Sequence, residues 1–192
     1  MPRIMVDSVA EHHALRRQGI LDAAVDVLGE DGIQAVTPAA VAARTGLARN
    51  SIYQYHPSTG ALVAAAVEEA FRRALAEVAV RVSPDTDASQ RLHGWITAGL
   101  NAAVSGHAVW RAEGADLPQE CHQRVVELHT QLQTPLVDAL TELAWPEPKS
   151  MAELVAGLVR AGADQVRRGD EVDAVVDRIV TLLPGQVGSV TA

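Results

Sequence analysis

Three breaks in the chain, Thr37-Pro38, Gly46 and Pro57, do most to limit the folds open to it. Thr37-Pro38 is a helix start, because a threonine hydroxyl can accept from first-turn amides while proline at the first helical position has no amide to satisfy. Gly46 permits a backbone conformation closed to other residues, and Pro57 ends whatever precedes it. The segment therefore reads as a short helix to Arg44, a tight turn, and a second short helix over Leu47 to Tyr55. Two helices this short cannot stand alone, so they must pack on longer neighbours.

Those neighbours are visible on both sides. From Glu11 to Leu28, Leu21, Ala24, Val25 and Leu28 form one apolar stripe with Asp22 and Asp26 turned outward, and Gly29 and Gly32 bracket the stop. After Ser58-Thr59 a long helix runs to about Val82, with Phe71, Leu75, Val78 and Val82 on one seam. Beyond the loop at Ser83-Pro84-Asp85-Thr86-Asp87, helices are expected over Ala88 to Ser105, His107 to Glu113, Pro118 to Leu143, Ser150 to Arg168 and Glu171 to Leu183. Pro135 should kink or break its helix. Ser150-Met151-Ala152-Glu153 reads as a capping box, Asp170 as the start of the last helix and Pro184-Gly185 as its end. Strand-type alternation is nowhere sustained, and the aromatic content of 3% leaves a core of Ala, Val and Leu. The expectation is an all-α chain of about nine helices: a head over residues 1–58 and a larger body over 59–192, with a bridging helix beginning at about 59.

The formal charge of −8 argues against nucleic acid until it is divided along the chain. Residues 1–60 hold five arginines against six acids, and no acid lies between Gly32 and Val67, where Arg44 and Arg49 are found. The second short helix carries Arg49, Asn50, Ser51, Tyr53, Gln54 and Tyr55, while Leu47 and Ile52 can face inward. Such a set suits a helix entering the major groove: Arg pairs with guanine, Asn or Gln with adenine, and hydroxyls with phosphates.

On these residues the chain resembles the TetR (tetracycline-repressor-like) family. The resemblance runs from Arg17 to Leu62 and rests on Ile20-Leu21-Asp22-Ala23-Ala24, Gly32, Thr37, Val41-Ala42, Gly46-Leu47, Ile52-Tyr53-Gln54-Tyr55 and Ser58 followed by Leu62. It implies a three-helix DNA-binding head, a helical ligand-binding body, and a homodimer on a near-palindromic operator. By position it makes Arg49, Ser51 and Gln54 base or groove contacts, with Asn50 beside them, and Thr37, Tyr53 and Tyr55 phosphate and register contacts. Four positions depart from the family pattern: Thr59 stands for its lysine, Gly60 for its acid, His56 for its phenylalanine and Ala48 for its capping serine. Thr59 can still hold a phosphate through its hydroxyl and the helix amides, and Arg44, Arg16, Arg17 or Arg3 can replace the lost charge.

For the body, Trp95, Trp110, His93, His107, Cys121 and His129 are the candidate ligand contacts, suited to a small apolar or aromatic effector. His122 and His129 share a helical face, and Glu120-Cys121-His122 offers metal-ligand types, but two turns separate the imidazoles, so no metal is expected and no cofactor is implied. The small residues Gly157, Ala161 and Gly162 lie beside Leu154, Leu158 and Val159, and dimerisation is expected through the last two helices, about residues 150–183. A lone cysteine, the absence of an apolar leader and the absence of any long apolar run lead to the expectation of a cytoplasmic protein. Enzyme signatures are missing: Lys149 is the only lysine, and there is no GxxxxGK, GxGxxG, HExxH or GxSxG. The expected function is a DNA-binding regulator, a repressor released by a small molecule. The alternative is an adaptor or ligand-binding protein of the same fold that no longer binds DNA, which the acidic body and the missing lysine support.

Overall fold

The structure, a computed structural model, describes residues 3–104 and 119–183, with side chains described over 10–102 and 122–183. Among the described residues it contains eight α-helices, one 3-10 turn and no strand. They are α1 (Arg3–Asp31), the 3-10 turn Ile33–Ala35, α2 (Pro38–Thr45), α3 (Arg49–Tyr55), α4 (Thr59–Arg81), α5 (Ala88–Val104), α6 (Gln119–Glu142), α7 (Pro148–Arg167) and α8 (Val172–Leu182). The helix expected at His107 to Glu113 and the stop at Pro184-Gly185 lie outside the described residues.

Several boundaries differ from expectation. Helix α1 begins eight residues early and passes through Gly29, which is buried inside it. Its stop comes at Gly32, where φ of 86° takes the chain out of the helix. On α1 the buried residues include Ile20, Ala23 and Val27 as well as Ala24, Val25 and Leu28, whereas Leu21 is only half-buried. Pro135 does not break α6, which runs through it unbroken. Its ring leaves the Gln131 carbonyl without the usual helical amide. One residue on, the Leu132 carbonyl accepts a 2.8 Å bond from the buried Trp95 indole of α5.

Ser150 is not the cap of α7. That helix starts two residues earlier, on Pro148, with Glu147 as the preceding residue and no side-chain cap. The chain reaches it through a tight exit from α6, in which the Trp145 amide bonds to the Leu140 carbonyl and the Ala144 amide to Thr141, with Ala144 left-handed at φ 56°. A reciprocal cap is found instead at α5, where Asp87 accepts from the Gln90 amide at 2.8 Å and Gln90 accepts from the Asp87 amide at 3.3 Å. The residue before α8 is Glu171, and the Asp170 carboxylate accepts from Arg178 at 2.5 Å.

Head and body share one continuous apolar core, and α4 connects them by packing on α1 as well as on α5 and α6. At that joint the Glu69 carboxylate, 7% exposed, is held by Arg72 at 2.5 Å and Arg73 at 2.7 Å. Arg73 reaches on to Asp22 of α1, so one guanidinium ties two helices. Asp22 is therefore engaged across the joint rather than merely turned to solvent. No helix among the described residues is long and apolar enough to cross a membrane.

Candidate nucleic-acid interface and the body cavity

The short helices form as their sequence dictates. Thr37 Oγ1 accepts from the Ala40 amide at 3.2 Å, and Pro38 occupies the first turn. Gly46 closes α2 in the left-handed conformation, φ 68° and ψ 15°. Nothing would meet an added Cβ there, so the requirement for glycine lies in the backbone and not in space. Helix α3 then begins after Ala48, which offers no side-chain cap, and is anchored by Ile52, 0% exposed, with Leu47 packed against the same core.

With Ile52 facing inward, α3 presents a polar surface. Arg49, Asn50 and Gln54 are exposed, and Ser51 and Tyr53 are half-buried. The Arg49 guanidinium lies 3.4 Å from the Tyr53 hydroxyl and 6.0 Å from its ring centre, which pre-orders the pair along one edge of the helix. Thr59 is exposed at the first residue of α4, whose first turn is capped by Ser58 Oγ accepting from the Ala61 amide at 3.0 Å.

Three of the expected contacts have other engagements. Thr37 spends its hydroxyl oxygen as the α2 cap. Tyr55 is half-buried with its ring 5.6 Å from that of His13, so it braces α3 against α1. Arg44 is bonded to Glu30 at 2.5 Å and lies 3.5 Å from Asp31, and its hydrogen bond holds the Glu30 carboxyl below the usual carboxylate range. Arg16 is exposed beside His12 at 3.2 Å, and Arg17 is exposed. Behind α3, His56 is 6% exposed, and its Nε2 has no hydrogen-bond partner among the described residues. Burial first, and the nearby Arg17 charge second, hold its imidazole below the ordinary histidine range.

Residues 20–66 match the model for bacterial regulatory proteins of the tetR family. Over these residues the head is similar to the TetR family. The matched segment is the helix-turn-helix part of the chain, and the fold beyond it is like that of solved regulators. A protein of Rhodococcus sp. assigned as a TetR-family transcriptional regulator superposes with TM-score 0.74 at 16% identity, over 90% of this chain and 99% of its own. A TetR-like transcriptional regulator from Rhodococcus sp. RHA1 gives 0.68 at 25% identity, over 88% and 93%. A Saccharomonospora viridis protein assigned as a transcriptional regulator, solved in complex with choline, gives 0.69 at 16%, over 88% and 96%. No protein of curated function matches the chain.

Within this TetR-like body four helices enclose a cavity of about 30 Å³. Helix α4 contributes Ala74 and Val78, and α5 contributes Trp95, Ala98, Gly99 and Ala102. Helix α6 contributes His129, Leu132 and Gln133, and α7 contributes Ala156, Val159 and Arg160. Of the expected ligand contacts, Trp95 and His129 are brought together here. His93 is half-buried on α5 and does not line the cavity. His107 and Trp110 lie outside the described residues, as does the side chain of Cys121, whose backbone is in α6. Gln133, Arg160 and the small residues of α5 were missed by sequence reasoning. Their only signal was spacing: Trp95, Ala98, Gly99 and Ala102 recur at the 3.6 period, three small residues below one large one.

The α7–α8 surface is divided in its use. Gly162 is buried within the chain, where an added Cβ would come within 2.8 Å of Val175 Cγ1 and 3.2 Å of Leu100 Cδ2, so its smallness admits α8 and α5 of the same molecule. Ala161 is exposed and Gly157 half-buried with open space at its Cβ position, and Leu154 and Leu182 are exposed by 64% and 65%.

Proposed function

We infer that the protein is a cytoplasmic repressor, a homodimer that covers a near-palindromic operator and is released by a small molecule bound in the body. The observation that carries the reading is the polar, acid-free face of α3 standing on the buried Ile52. Arg49, Asn50, Ser51 and Gln54 enter the major groove, with Tyr53 fixing Arg49 and reaching a phosphate. Thr37, Tyr55 and Thr59 border the same surface and hold register through the backbone. Arg44, paired with two acids, contributes less to phosphate binding than the exposed Arg16 and Arg17. Two protomers join through the outer face of α7 and α8, where Leu154, Gly157, Ala161 and Leu182 give apolar and close-approach surface. That the Saccharomonospora neighbour of this fold was solved in complex with choline supports a small molecule as the effector. At about 30 Å³ the cavity of this chain has room for about one or two waters, so an effector must widen it, which makes it a site whose occupation shifts the protein between states.

The test is a gel shift on DNA flanking the gene, at two salt concentrations, beside Arg49→Ala/Tyr53→Ala. The double variant should lose affinity on the order of a hundredfold, as expected for a broken guanine pair and a lost phosphate contact, while its circular dichroism is unchanged. Undiminished binding by that variant would remove α3 from the interface. No shift by a folded wild-type dimer, on this or on randomised DNA, would overturn the repressor reading.

A further inference from the structure

The walls of the cavity are not equally fixed. An added Cβ at Gly99 of α5 would come within 2.7 Å of Val159 Cγ1 of α7, and one at Gly162 of α7 within 3.2 Å of Leu100 Cδ2, so α5 and α7 meet without slack. Helix α6 instead is built in two unlike halves that meet at Pro135. After the proline, Leu136, Ala139 and Leu140 are fully buried, and Glu142 pairs with Arg91 of α5. Before it, over residues 122–134, only Leu128 and Leu132 are buried, and Val126 is exposed. The lining residues that α6 supplies, His129, Leu132 and Gln133, all belong to this first half.

The joint between the halves is weakened at the backbone. Pro135 has no amide for the Gln131 carbonyl, and the Thr130 carbonyl accepts from the Thr134 hydroxyl at 2.8 Å, a bond that competes with the helix ladder. A helix lacking one rung bends most readily there. Across the cavity, a directed bond holds the first half to α5, the Trp95 indole amide donating to the Leu132 carbonyl at 2.8 Å. The same half is held to α4 by Arg124, 3.5 Å from Glu68, and by the His129 ring, edge-on to Phe71 at 6.5 Å between centres.

We propose that residues 122–134 of α6 form a hinged wall turning at Pro135, and that the Trp95–Leu132 bond is the latch that keeps the cavity small. An apolar molecule entering between α5 and α6 breaks the latch, swings the wall, and carries α4 with it through Glu68 and Phe71. This rests on the reading of the cavity as the effector site and adds how that site opens and which contact sets the threshold. The latch exists only in the closed state, so its strength is lost from the affinity of whatever enters.

The experiment follows amide exchange by mass spectrometry in the full-length protein, together with binding of the neutral apolar dye N-phenyl-1-naphthylamine, in wild type, Trp95→Phe, Pro135→Ala and Ala156→Leu. Trp145→Phe is the control, since it makes the same change of size where the indole amide has no partner among the described residues. Trp95→Phe should speed exchange over residues 122–134 by about tenfold and leave 136–142 at the wild-type rate, and Pro135→Ala should slow the first half. Trp95→Phe should also bind the dye about tenfold more tightly, by the strength of the lost latch, and Ala156→Leu, which fills the cavity from a half-buried position, should weaken it. Exchange that quickens along the whole of α6, or as much in Trp145→Phe, would overturn the hinge. Tighter dye binding without faster exchange would reflect a larger cavity alone and overturn the latch, with the effector site left standing. Dye binding undiminished in Ala156→Leu, or absent from wild type and Trp95→Phe alike, would overturn the effector site itself and with it the role of the hinge.

Discussion

The head and the body solve different problems with different kinds of sequence. The polar surface of the head is written in one short stretch, Arg49 to Gln54, and depends on neighbours close in sequence: the Thr37 cap, the Gly46 turn and the Ile52 anchor. The cavity of the body is assembled from α4, α5, α6 and α7, whose contributing residues span Ala74 to Arg160. Local grammar builds the first, and only packing builds the second. A surface made by local rules tolerates change elsewhere in the chain, whereas a cavity shared by four helices is altered by any one of them.

The sharpest way to break this contrast is at the joint. Arg73→Met removes the tie between Asp22 and Glu69 and leaves the buried Glu69 with Arg72 alone. It should cost about 2 kcal/mol and split thermal unfolding into a lower transition for the head and a higher one for the body. A single transition at the wild-type temperature, followed by calorimetry, would show that the apolar core alone joins the two regions.

A smaller effect sharpens the head's side of the contrast. The His56 imidazole is held below its ordinary range, so the unfolded chain takes up the proton at higher pH than the folded one. Its neutral form therefore contributes stability that is fully present above the unfolded value and is lost as the pH falls from there through the lower folded value. Replacing it with the family's residue, His56→Phe, should raise stability by about 1 kcal/mol and flatten the decline between about pH 7 and pH 5 in urea titrations. An unchanged acid slope would mean that His56 does not titrate on unfolding.

The smallest effect belongs to the body. Helices α6 and α7 end in the same pair of bonds, with Ala144 at φ 56° in one and Gly169 at φ 107° in the other. Ala144→Gly should gain about 0.7 kcal/mol and Gly169→Ala should lose about 1 kcal/mol, measured by thermal denaturation. Changes of the same sign would show that the left-handed turn is not what decides these exits.

The contrast also accounts for what could be seen in the sequence. Thr37-Pro38, Gly46 and Ile52 behaved as expected because each acts on residues within a few positions. The Ser150 box failed although its residues were right, because Pro148 and the turn at Ala144–Glu147 had already started α7. The working box at Asp87 and Gln90 sat beside a conspicuous loop and carried the same chemistry. That Tyr55 braces α3 against α1 was not legible, because its partner, His13, is more than forty positions away. Arg160 and Gln133 could not be paired with Trp95 without knowing how α5, α6 and α7 pack.

Helix α4 also has a mechanical meaning. It meets the cavity at Ala74 and Val78 and the head's polar surface at Thr59, so it is a stiff arm of roughly 22 Å between the two, at 1.5 Å per residue. A tilt of about 5° at the cavity end carries Thr59 through about 2 Å by the same geometry. That displacement compares with the length of a hydrogen bond, and the proposed dimer would double it in the separation of its two heads. On the proposed dimer, a ligand that tilts this arm by so little would put the two α3 helices out of step with successive grooves.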